Sequence, residues 1–372
     1  MKTKAIILSI ILVLAVSALF VGCSTSAAPT QVALFYMVGQ GSNSISGAKL
    51  LSSGQLTPLS LSAFATNPRP VSMVLHPSKN FIYVANLTAN TVSGYNLDRT
   101  TGVLTPIGTA VAPSPVGTGP IVVGVSGDGL LLFVLNQGSA NISVFSIDTA
   151  RGFLTEVAGS PFPTLANPQF MVVAPSAKQL YVANGTLSTI SGFTFDANGT
   201  LSAIAGSPFS AGPGANVAGM AIDAKGQFLY AADSANNKVV SFSIASGTGV
   251  LAPVAGSPVA AHTTPVAVAV DSTGAFLYAS NQGSDDVSAY KINGGALTEV
   301  SGSPFTTKAT SASTAAQPGY ITVDVTNTFV CVGNVNAKTV TIFAINPADG
   351  TLIQADAPAQ QVIAPLWILT TN

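Results

Sequence analysis

Few side chains of this sequence are suited to acid–base chemistry. The chain of 372 residues contains two histidines, and 7% of its residues are charged. His262 stands in a polar stretch, residues 261–265, between two strand-like segments, where an imidazole could serve as a general base. An exposed loop histidine without a partner is the alternative. His76 occupies a position that aspartate fills in other repeats, which indicates a role in a turn.

The other charged candidates are one arginine and one acidic pair. Arg69, next to prolines on both sides, could bind a carboxylate or phosphate through two hydrogen bonds, or be a solvated loop charge. Asp285 and Asp286 could contact a ligand or a hard cation, although adjacent acidic residues in a hairpin are more often turn formers. No His/Cys cluster has metal-ligand spacing, and phosphate-loop and nucleophile-elbow motifs are missing. The sequence therefore predicts neither a metal nor a cofactor.

Uncharged amide and aromatic side chains recur where strands begin or end. They suit neutral, hydroxyl-rich ligands such as glycans or sugar lactones, or a protein partner in the cell envelope. The formal net charge is −1 and no basic run occurs, so nucleic acid is not expected as a partner. The predicted ligand contacts are Gln169, Asn216, Gln317, Tyr320, Trp367 and Asp285.

A repeat of about 50 residues provides the elements that must position these side chains. One repeated position, three residues before the end of a strand, holds Tyr36, Tyr83, Phe133, Tyr181, Tyr230, Tyr278 and Cys331. Another is the glycine of a Gly-x-Leu turn, at Gly54, Gly102, Gly152, Gly199, Gly249, Gly295 and Gly350. Because both positions recur seven times with nearly the same spacing, the sequence predicts seven structural units of one kind.

Each unit has the pattern of four antiparallel strands. The first strand, for example residues 266–270, is apolar throughout, as expected when both of its faces are buried. A turn, a second strand, a polar loop, a third strand and a more polar outer strand follow, and four such strands make a propeller blade. The recurring Gly-Ser-Pro segments after the outer strands are expected on the rim where the inner strands begin.

The two ends of the chain predict how the ring closes. Residues 34–39 match a second strand, whereas residues 365–370 match an inner strand. An incomplete ring would leave apolar sheet faces open, so we expect one blade to combine both ends. The sequence therefore predicts an all-β, monomeric, seven-bladed β-propeller over residues 32–372, with four-stranded antiparallel blades and the last blade closed by both termini.

The N-terminal residues differ from the rest of the chain. Residues 1–22 have two lysines followed by an apolar run, which indicates a signal peptide. The segment before Cys23 resembles a bacterial lipobox and predicts lipidation at Cys23, with residues 23–31 as a tether to the cell-envelope membrane. A simple cleaved signal or an uncleaved anchor are the alternatives. Cys331 is then unpaired, and its repeat position predicts a buried structural role.

The repeated motifs also resemble those of a known family. The proline before each inner strand, the Asp-x-x-Gly turn, the segments Phe81–Asn86 and residues 179–184, and the Gly-x-Leu turn are similar to those of lactonase-type seven-bladed propellers. That family includes 6-phosphogluconolactonase-like proteins and Tyr-Val-Thr-Asn repeat surface propellers. The resemblance covers essentially all of residues 32–372 and implies hydrolysis of a lactone. The Gly-Pro-Arg-His sequence typical of the family's enzymes is found in none of the seven repeats.

Three functions remain open from the sequence. The missing Arg-His pair and the neutral rim favour an envelope-anchored propeller that binds a ligand or a protein as a scaffold. The alternative that the resemblance implies is a lactonase, with His262 as the base and Arg69 as the anion-binding group. A structural surface protein is the third possibility.

Overall fold

The structure is a computed structural model that describes residues 28–39, 41–108, 114–115, 117–307, 315–355, 360–361 and 365–372. The predicted signal peptide and Cys23 lie outside these residues. All regular elements in the described ranges are β-strands. Accordingly, no long apolar helix that could cross a membrane is found there. The first strand begins at Gln31, one residue before the predicted start of the propeller.

The strands form seven antiparallel sheets, which are the blades of the propeller and confirm the predicted fold. We number the first six in chain order, and we name the strands of each blade inner, second, third, outer and return. Blade 1 contains Pro70–Leu75, Phe81–Asn86, Thr91–Leu97, Leu104–Pro106 and Ser114–Pro115. Blade 2 contains Pro120–Val125, Leu131–Asn136, Asn141–Ile147, Leu154–Glu156 and Phe162–Pro163. Blade 3 contains Phe170–Val173, Gln179–Ala183, Thr189–Phe195, Leu201–Ala203 and Phe209–Ser210.

The remaining blades repeat this order. Blade 4 contains Val217–Ile222, Phe228–Asp233, Lys238–Ile244, Leu251–Pro253 and Val259–Ala260. Blade 5 contains Pro265–Val270, Phe276–Asn281, Asp286–Asn293, Ala296–Glu299 and Phe305–Thr306. Blade 6 contains Pro318–Val323, Phe329–Asn334, Thr339–Ile345, Leu352–Gln354 and Gln360–Gln361. Blade 7 contains Pro365–Thr371 from the end of the chain, followed by Gln31–Gly39, Ser44–Leu51, Leu56–Pro58 and Phe64–Ala65 from its beginning.

Both ends of the chain close the ring, as predicted. The inner strand Pro365–Thr371 pairs antiparallel with Gln31–Gly39, so that Leu34 lies opposite Thr371 and Val38 opposite Trp367. We call the rim where the inner strands begin the upper rim, and the rim where they end the lower rim. Every inner strand runs from the upper to the lower rim along the central channel, and the second strand returns to the upper rim.

The outer edge of each blade is interrupted, and in blades 2 to 5 a Gly-Ser-Pro segment fills the interruption. In blade 2, the outer strand pairs with the end of the third strand and the return strand with its beginning. Between them Val144 donates its backbone N–H to Ser160 Oγ at 3.0 Å. The same bond joins Gly192 to Ser207, Ser241 to Ser257 and Ala289 to Ser303. The prediction that these segments lie on the upper rim is therefore wrong, because the serine hydroxyl satisfies a ladder donor halfway along the blade edge.

Two of the repeated positions form a clamp between neighbouring blades. The hydroxyl of Tyr83 in blade 1 donates to the carbonyl of Gly152, which is in the Gly-x-Leu turn of blade 2, at 2.9 Å. Equivalent bonds join Tyr36 to Gly102, Tyr181 to Gly249 and Tyr278 to Gly350, at 2.7, 2.7 and 3.2 Å. The turn glycine has a positive φ, for example 74° at Gly152, and an added Cβ there would lie 2.6 Å from Ile107.

The core is divided among the interfaces between blades. The second strands, such as Phe81–Asn86 and Phe276–Asn281, are buried along their whole length because blades cover both of their faces. Cys331 is 0% exposed in the interface between blades 6 and 7, which confirms its predicted structural role. Burial raises the pKa of its thiol well above the ordinary value, so it is held in the unreactive protonated form.

Candidate functional site

The structure gives His262 a partner that the sequence prediction lacked. His262 follows the return strand of blade 4 and precedes the inner strand of blade 5, on the upper rim. Its Nδ1 lies 3.0 Å from Oδ2 of Asp286, at the start of the third strand of blade 5. The histidine side chain is 46% exposed and that of Asp286 is 11% exposed. A carboxylate that accepts from Nδ1–H leaves Nε2 as the proton acceptor of this half-exposed ring.

Asp286 is itself held by two further donors. Its Oδ1 accepts from Asn281 Nδ2 at 2.8 Å and from Ser284 Oγ at 3.1 Å. Asn281 is fully buried and also donates to Ser288 at 2.9 Å. This fixes the carboxylate, and through it the imidazole, in one orientation. A chain of hydrogen bonds therefore runs from the core of blade 5 to the exposed histidine.

The pairing of histidine and aspartate is found in blade 5 alone among the seven blades. Blades 1, 2, 3 and 6 keep the buried asparagine and a hydroxyl partner but replace the carboxylate, whereas blades 4 and 7 have Asp233 and Gly39 at the asparagine position. The residues equivalent to Asp286 are Ser44, Thr91, Asn141, Thr189, Lys238 and Thr339. Threonine maintains the hydrogen bond in blades 1, 3 and 6. The carboxylate in blade 5 is therefore not required by the fold.

Asp285 has a different role from Asp286. It is 5% exposed, has a φ of 59°, and its Oδ1 accepts the backbone N–H of Gln317 from the next blade at 2.7 Å. Equivalent side chains do the same elsewhere: Asn43 accepts from Arg69, Asn90 from Gly119 and Asn237 from Thr264. The structure thus places Asp285, one of the predicted ligand contacts, in a repeated bond between blades.

Arg69 lies far around the ring from His262. Arg69 precedes the inner strand of blade 1 and His262 that of blade 5, so three blade steps separate them. The Arg69 side chain is exposed, and its backbone rather than its guanidinium makes the bond to Asn43. The two predicted catalytic residues are therefore not brought together.

The predicted amide contacts are also spread around the upper rim. Gln169 donates to Asn167 at 2.9 Å, and Asn216 donates to Ser234 at 3.0 Å. Gln317 is exposed, and its backbone is tied to Asp285. These three residues begin blades 3, 4 and 6, and they form no common group. Their role in ligand binding stays a prediction.

Tyr320 and Trp367, in contrast, are in direct contact. Their rings stack with centroids 4.3 Å apart and an interplanar angle of 26°. Trp367 also stacks on Phe170, with ring centroids 5.8 Å apart and an interplanar angle of 18°. Phe170 belongs to blade 3 and Tyr320 to blade 6, so the three rings cross the channel axis. We call Phe170, Tyr320 and Trp367 the aromatic stack.

The stack is possible because the inner strands carry unequal side chains at one position. Phe170, Tyr320 and Trp367 each stand two residues after the position of the initial proline. The other four blades have Ser72, Val122, Gly219 and Ala267 there. Three large and four small residues thus fill this level of the channel. Below it lies a cavity of about 430 Å³ with mainly aliphatic walls.

The remaining titratable groups have structural partners. His76 is 3% exposed; its Nδ1 accepts the N–H of Ser78 at 3.1 Å, and its Nε2 lies 2.8 Å from the carbonyl of Gly129 in the next blade. This confirms the predicted turn role and assigns the proton to Nε2. Asp223, Asp271 and Asp324 accept backbone N–H groups of their own turns. No group of three possible metal-ligating side chains is found in the described ranges.

Comparison with known proteins now identifies the family. Residues 117–311, a little more than half of the chain, match the family described as lactonase, seven-bladed β-propeller. The chain belongs to this family. The search of curated proteins found no match. The predicted family resemblance is therefore confirmed. This lactonase-family propeller has no Arg-His pair at the start of its inner strands.

Solved structures share the fold at low sequence identity. A candidate 6-phosphogluconolactonase from Bacteroides fragilis has a TM-score of 0.77 and 19% identity, covering 94% of this chain and 99% of its own. The periplasmic gluconolactonase PpgL of Pseudomonas aeruginosa has a TM-score of 0.76 and 18% identity, covering 91% and 99%. A protein from Lactobacillus plantarum has a TM-score of 0.75 and 19% identity, covering 92% of this chain and 100% of its own. At this identity the likeness establishes the propeller fold.

Sequence reasoning missed two residues of these sites. Asp286 stands out from the sequence only as part of an acidic pair, although none of the other six repeats has a carboxylate at its position. Phe170 stands at the same repeat position as Tyr320 and Trp367, so the alignment also contained that signal. Their partners could not be predicted, because His262 lies 24 residues from Asp286 and the stack joins three separate blades.

Proposed function

We propose that this lactonase-family propeller hydrolyses a neutral sugar lactone at the upper rim, with His262 as the general base. The observation that carries the proposal is the 3.0 Å contact between His262 and Asp286, which leaves Nε2 free to accept a proton. Membership of the lactonase family supports a lactone as the substrate class. The names of two structural neighbours, a candidate 6-phosphogluconolactonase and a periplasmic gluconolactonase, support the same class.

The proposed reaction needs one base and one water molecule. Nε2 of His262 takes a proton from water as the oxygen attacks the lactone carbonyl carbon. Asp286 stabilises the imidazolium that forms. When the tetrahedral intermediate breaks down, the bond from the carbonyl carbon to the ring oxygen is cleaved and that oxygen takes the proton from His262. The product is the open-chain hydroxy acid, which ionises.

Charge favours a neutral lactone over a phosphorylated one. Arg69 is three blade steps from His262, so its guanidinium is not placed to hold a phosphate of a substrate bound there. The chain has 13 basic residues and 14 acidic residues, with no basic run. Arg69 as an anion-binding group stays a prediction for a separate position on the rim.

Acid release from glucono-δ-lactone by the purified full chain tests the proposal. We expect His262→Ala to lower kcat by about 100-fold or more, the usual contribution of a general base. Asp286→Asn should lower kcat while leaving KM nearly unchanged, because it misorients the imidazole.

Thr263→Ala is the matched control, since Thr263 is exposed in the same loop and its side chain holds neither His262 nor Asp286. Full activity in His262→Ala, or an equal loss in Thr263→Ala, would refute the assignment. Glucono-δ-lactone bound without turnover would instead favour the binding scaffold that the sequence analysis preferred.

We also propose that the protein is exported and attached by a lipid on Cys23. The support is the lipobox-like segment in the sequence and the word periplasmic in the name of the Pseudomonas neighbour. Mass spectrometry of the N-terminal peptide from the native protein, with Cys23→Ala as the control, tests this. An unmodified N-terminus at residue 1 would contradict it.

A further inference from the structure

The cavity below the aromatic stack is not used by the proposed reaction. It measures about 430 Å³, and its walls come from the inner strands of the ring, including Val74, Val172, Ala221 and Val268. Its lining reaches Asp271 and Ser272 at the lower rim, and among the described residues it includes neither His262 nor Arg69. The cavity is therefore accessible from the rim opposite to His262.

The aromatic stack forms the upper end of this cavity. Tyr320 and Trp367 both line it, and Trp367 stacks on both Tyr320 and Phe170. These two ring contacts fix the indole, so the stack offers a rigid aromatic surface instead of a mobile side chain. The Tyr320 hydroxyl has no hydrogen-bond partner among the described residues, and burial raises its pKa, which keeps it a neutral donor.

The walls carry almost no charge. Asp271 is the one ionisable lining side chain besides the tyrosine, and it is 4% exposed. Its carboxylate accepts the N–H of Phe276 at 2.8 Å and the hydroxyl of Thr273. No cation lines the cavity in the described part of the chain, so an anionic ligand would be desolvated without a partner.

We propose that this cavity is a second binding site, which takes a neutral, largely apolar small molecule containing a flat ring. The volume lies in the range of small-molecule sites, about 300–1,000 Å³. The ring lies against the aromatic stack and a polar atom of the ligand reaches the Tyr320 hydroxyl. This site is independent of the lactone reaction, and the two occupy opposite ends of the channel.

The single tryptophan makes the site directly measurable. The probe is N-phenylnaphthylamine, a neutral molecule whose emission rises in apolar surroundings. Titration into the purified full chain, with excitation of Trp367, should give saturable energy transfer at one probe per chain. Anilinonaphthalene sulfonate has the same ring system with an added sulfonate, and it should bind at least tenfold more weakly because no cation faces it.

Two variants fill the cavity from different sides, Ala221→Phe in blade 4 and Val74→Phe in blade 1. Each should weaken the binding of the neutral probe by at least tenfold, while circular dichroism reports whether the fold is retained. Tyr320→Phe keeps the ring and should weaken binding by about fivefold, the effect of one hydrogen bond.

The outcomes separate this site from the lactone reaction. His262→Ala should bind the probe as the wild type does, and Ala221→Phe should hydrolyse lactone as the wild type does. Absence of saturable energy transfer would overturn the proposal. So would equal binding of both probes, or unchanged binding in folded Ala221→Phe and Val74→Phe.

Discussion

The tyrosine clamp between blades can be tested by removing single oxygen atoms. In Tyr83→Phe the ring remains in the core, but the hydroxyl that donates to the Gly152 carbonyl is lost. Tyr83 is 0% exposed, so water does not replace the donor without rearrangement. A buried carbonyl left without its partner costs about 1–2 kcal/mol in the free energy of unfolding. For a domain of this length, the midpoint of thermal unfolding should fall by roughly 2 °C.

The chain contains its own control for this effect. Tyr230 occupies the same repeat position and is also 0% exposed, yet its hydroxyl has no hydrogen-bond partner among the described residues. Tyr230→Phe therefore removes a buried polar atom that gains nothing from the fold. We expect its unfolding midpoint to stay the same or to rise, because the desolvation of a polar group is avoided.

Differential scanning calorimetry of the two variants and the wild type, under one buffer and scan rate, measures the difference. Tyr83→Phe should be less stable than Tyr230→Phe by about 1–3 kcal/mol. Equal midpoints would refute the view that the hydroxyl, rather than the ring, joins neighbouring blades. Phe133 already occupies this position in blade 2, so no loss of folding is expected in either variant.

Two further predictions concern the turns and the effect of alkaline pH. Gly350 has a φ of 80°, and an added Cβ would lie 2.3 Å from Phe276, whereas Gly256 has a φ of 83° with nothing within 4 Å. Gly256→Ala should lower the free energy of unfolding by about 1 kcal/mol through its backbone conformation alone, and Gly350→Ala should lower it by about 1–3 kcal/mol more through overpacking. Urea unfolding measures both changes. Equal losses would show that the turn at Gly350 moves freely. Burial raises the pKa of Tyr95 from 10.0 to about 12, and that of Tyr36, Tyr83 and Tyr181 as well. Because the raised pKa belongs to the folded state, the stability that comes from burying these neutral hydroxyls is complete below pH 10 and is lost as the pH rises towards 12. Tyrosinate absorbance and loss of circular dichroism should therefore appear together. Tyrosinate formed in the intact fold would contradict the assignment.

The sequence was sufficient to predict the blades because their determinants are local and repeated. An apolar inner strand, the turn glycines and the strand ending in Asn86 identify a blade wherever they recur, and the shared seventh blade follows from the same comparison of repeats. The placement of the Gly-Ser-Pro segments failed for a physical reason. A serine hydroxyl that replaces a backbone acceptor lets the outer strand bend away from the third strand halfway along the blade edge. The sequence pattern does not indicate how far along the edge this replacement occurs.

The sites were less predictable because they depend on contacts across blades. Tyr83 and Gly152 are 69 residues apart in the chain, although both were recognised as repeated positions. Asp285 and Asp286 are adjacent, yet a positive φ at Asp285 turns one carboxylate to the next blade and leaves the other for His262. Residue type limited the possible chemistry, but backbone conformation decided which of two neighbouring carboxylates could take part in it.

The pairing that closes the ring also fixes how the molecule would stand on a surface. Leu34 lies opposite Thr371, and Lys79 in the lower-rim turn of blade 1 donates to Asn372, so the chain enters and leaves the propeller at the lower rim. A tether attached ahead of Gln31 would hold that rim towards its support and turn His262 towards the surrounding medium. The orientation is a consequence of topology, and a tag or fusion at either end would approach the open end of the apolar cavity rather than the histidine.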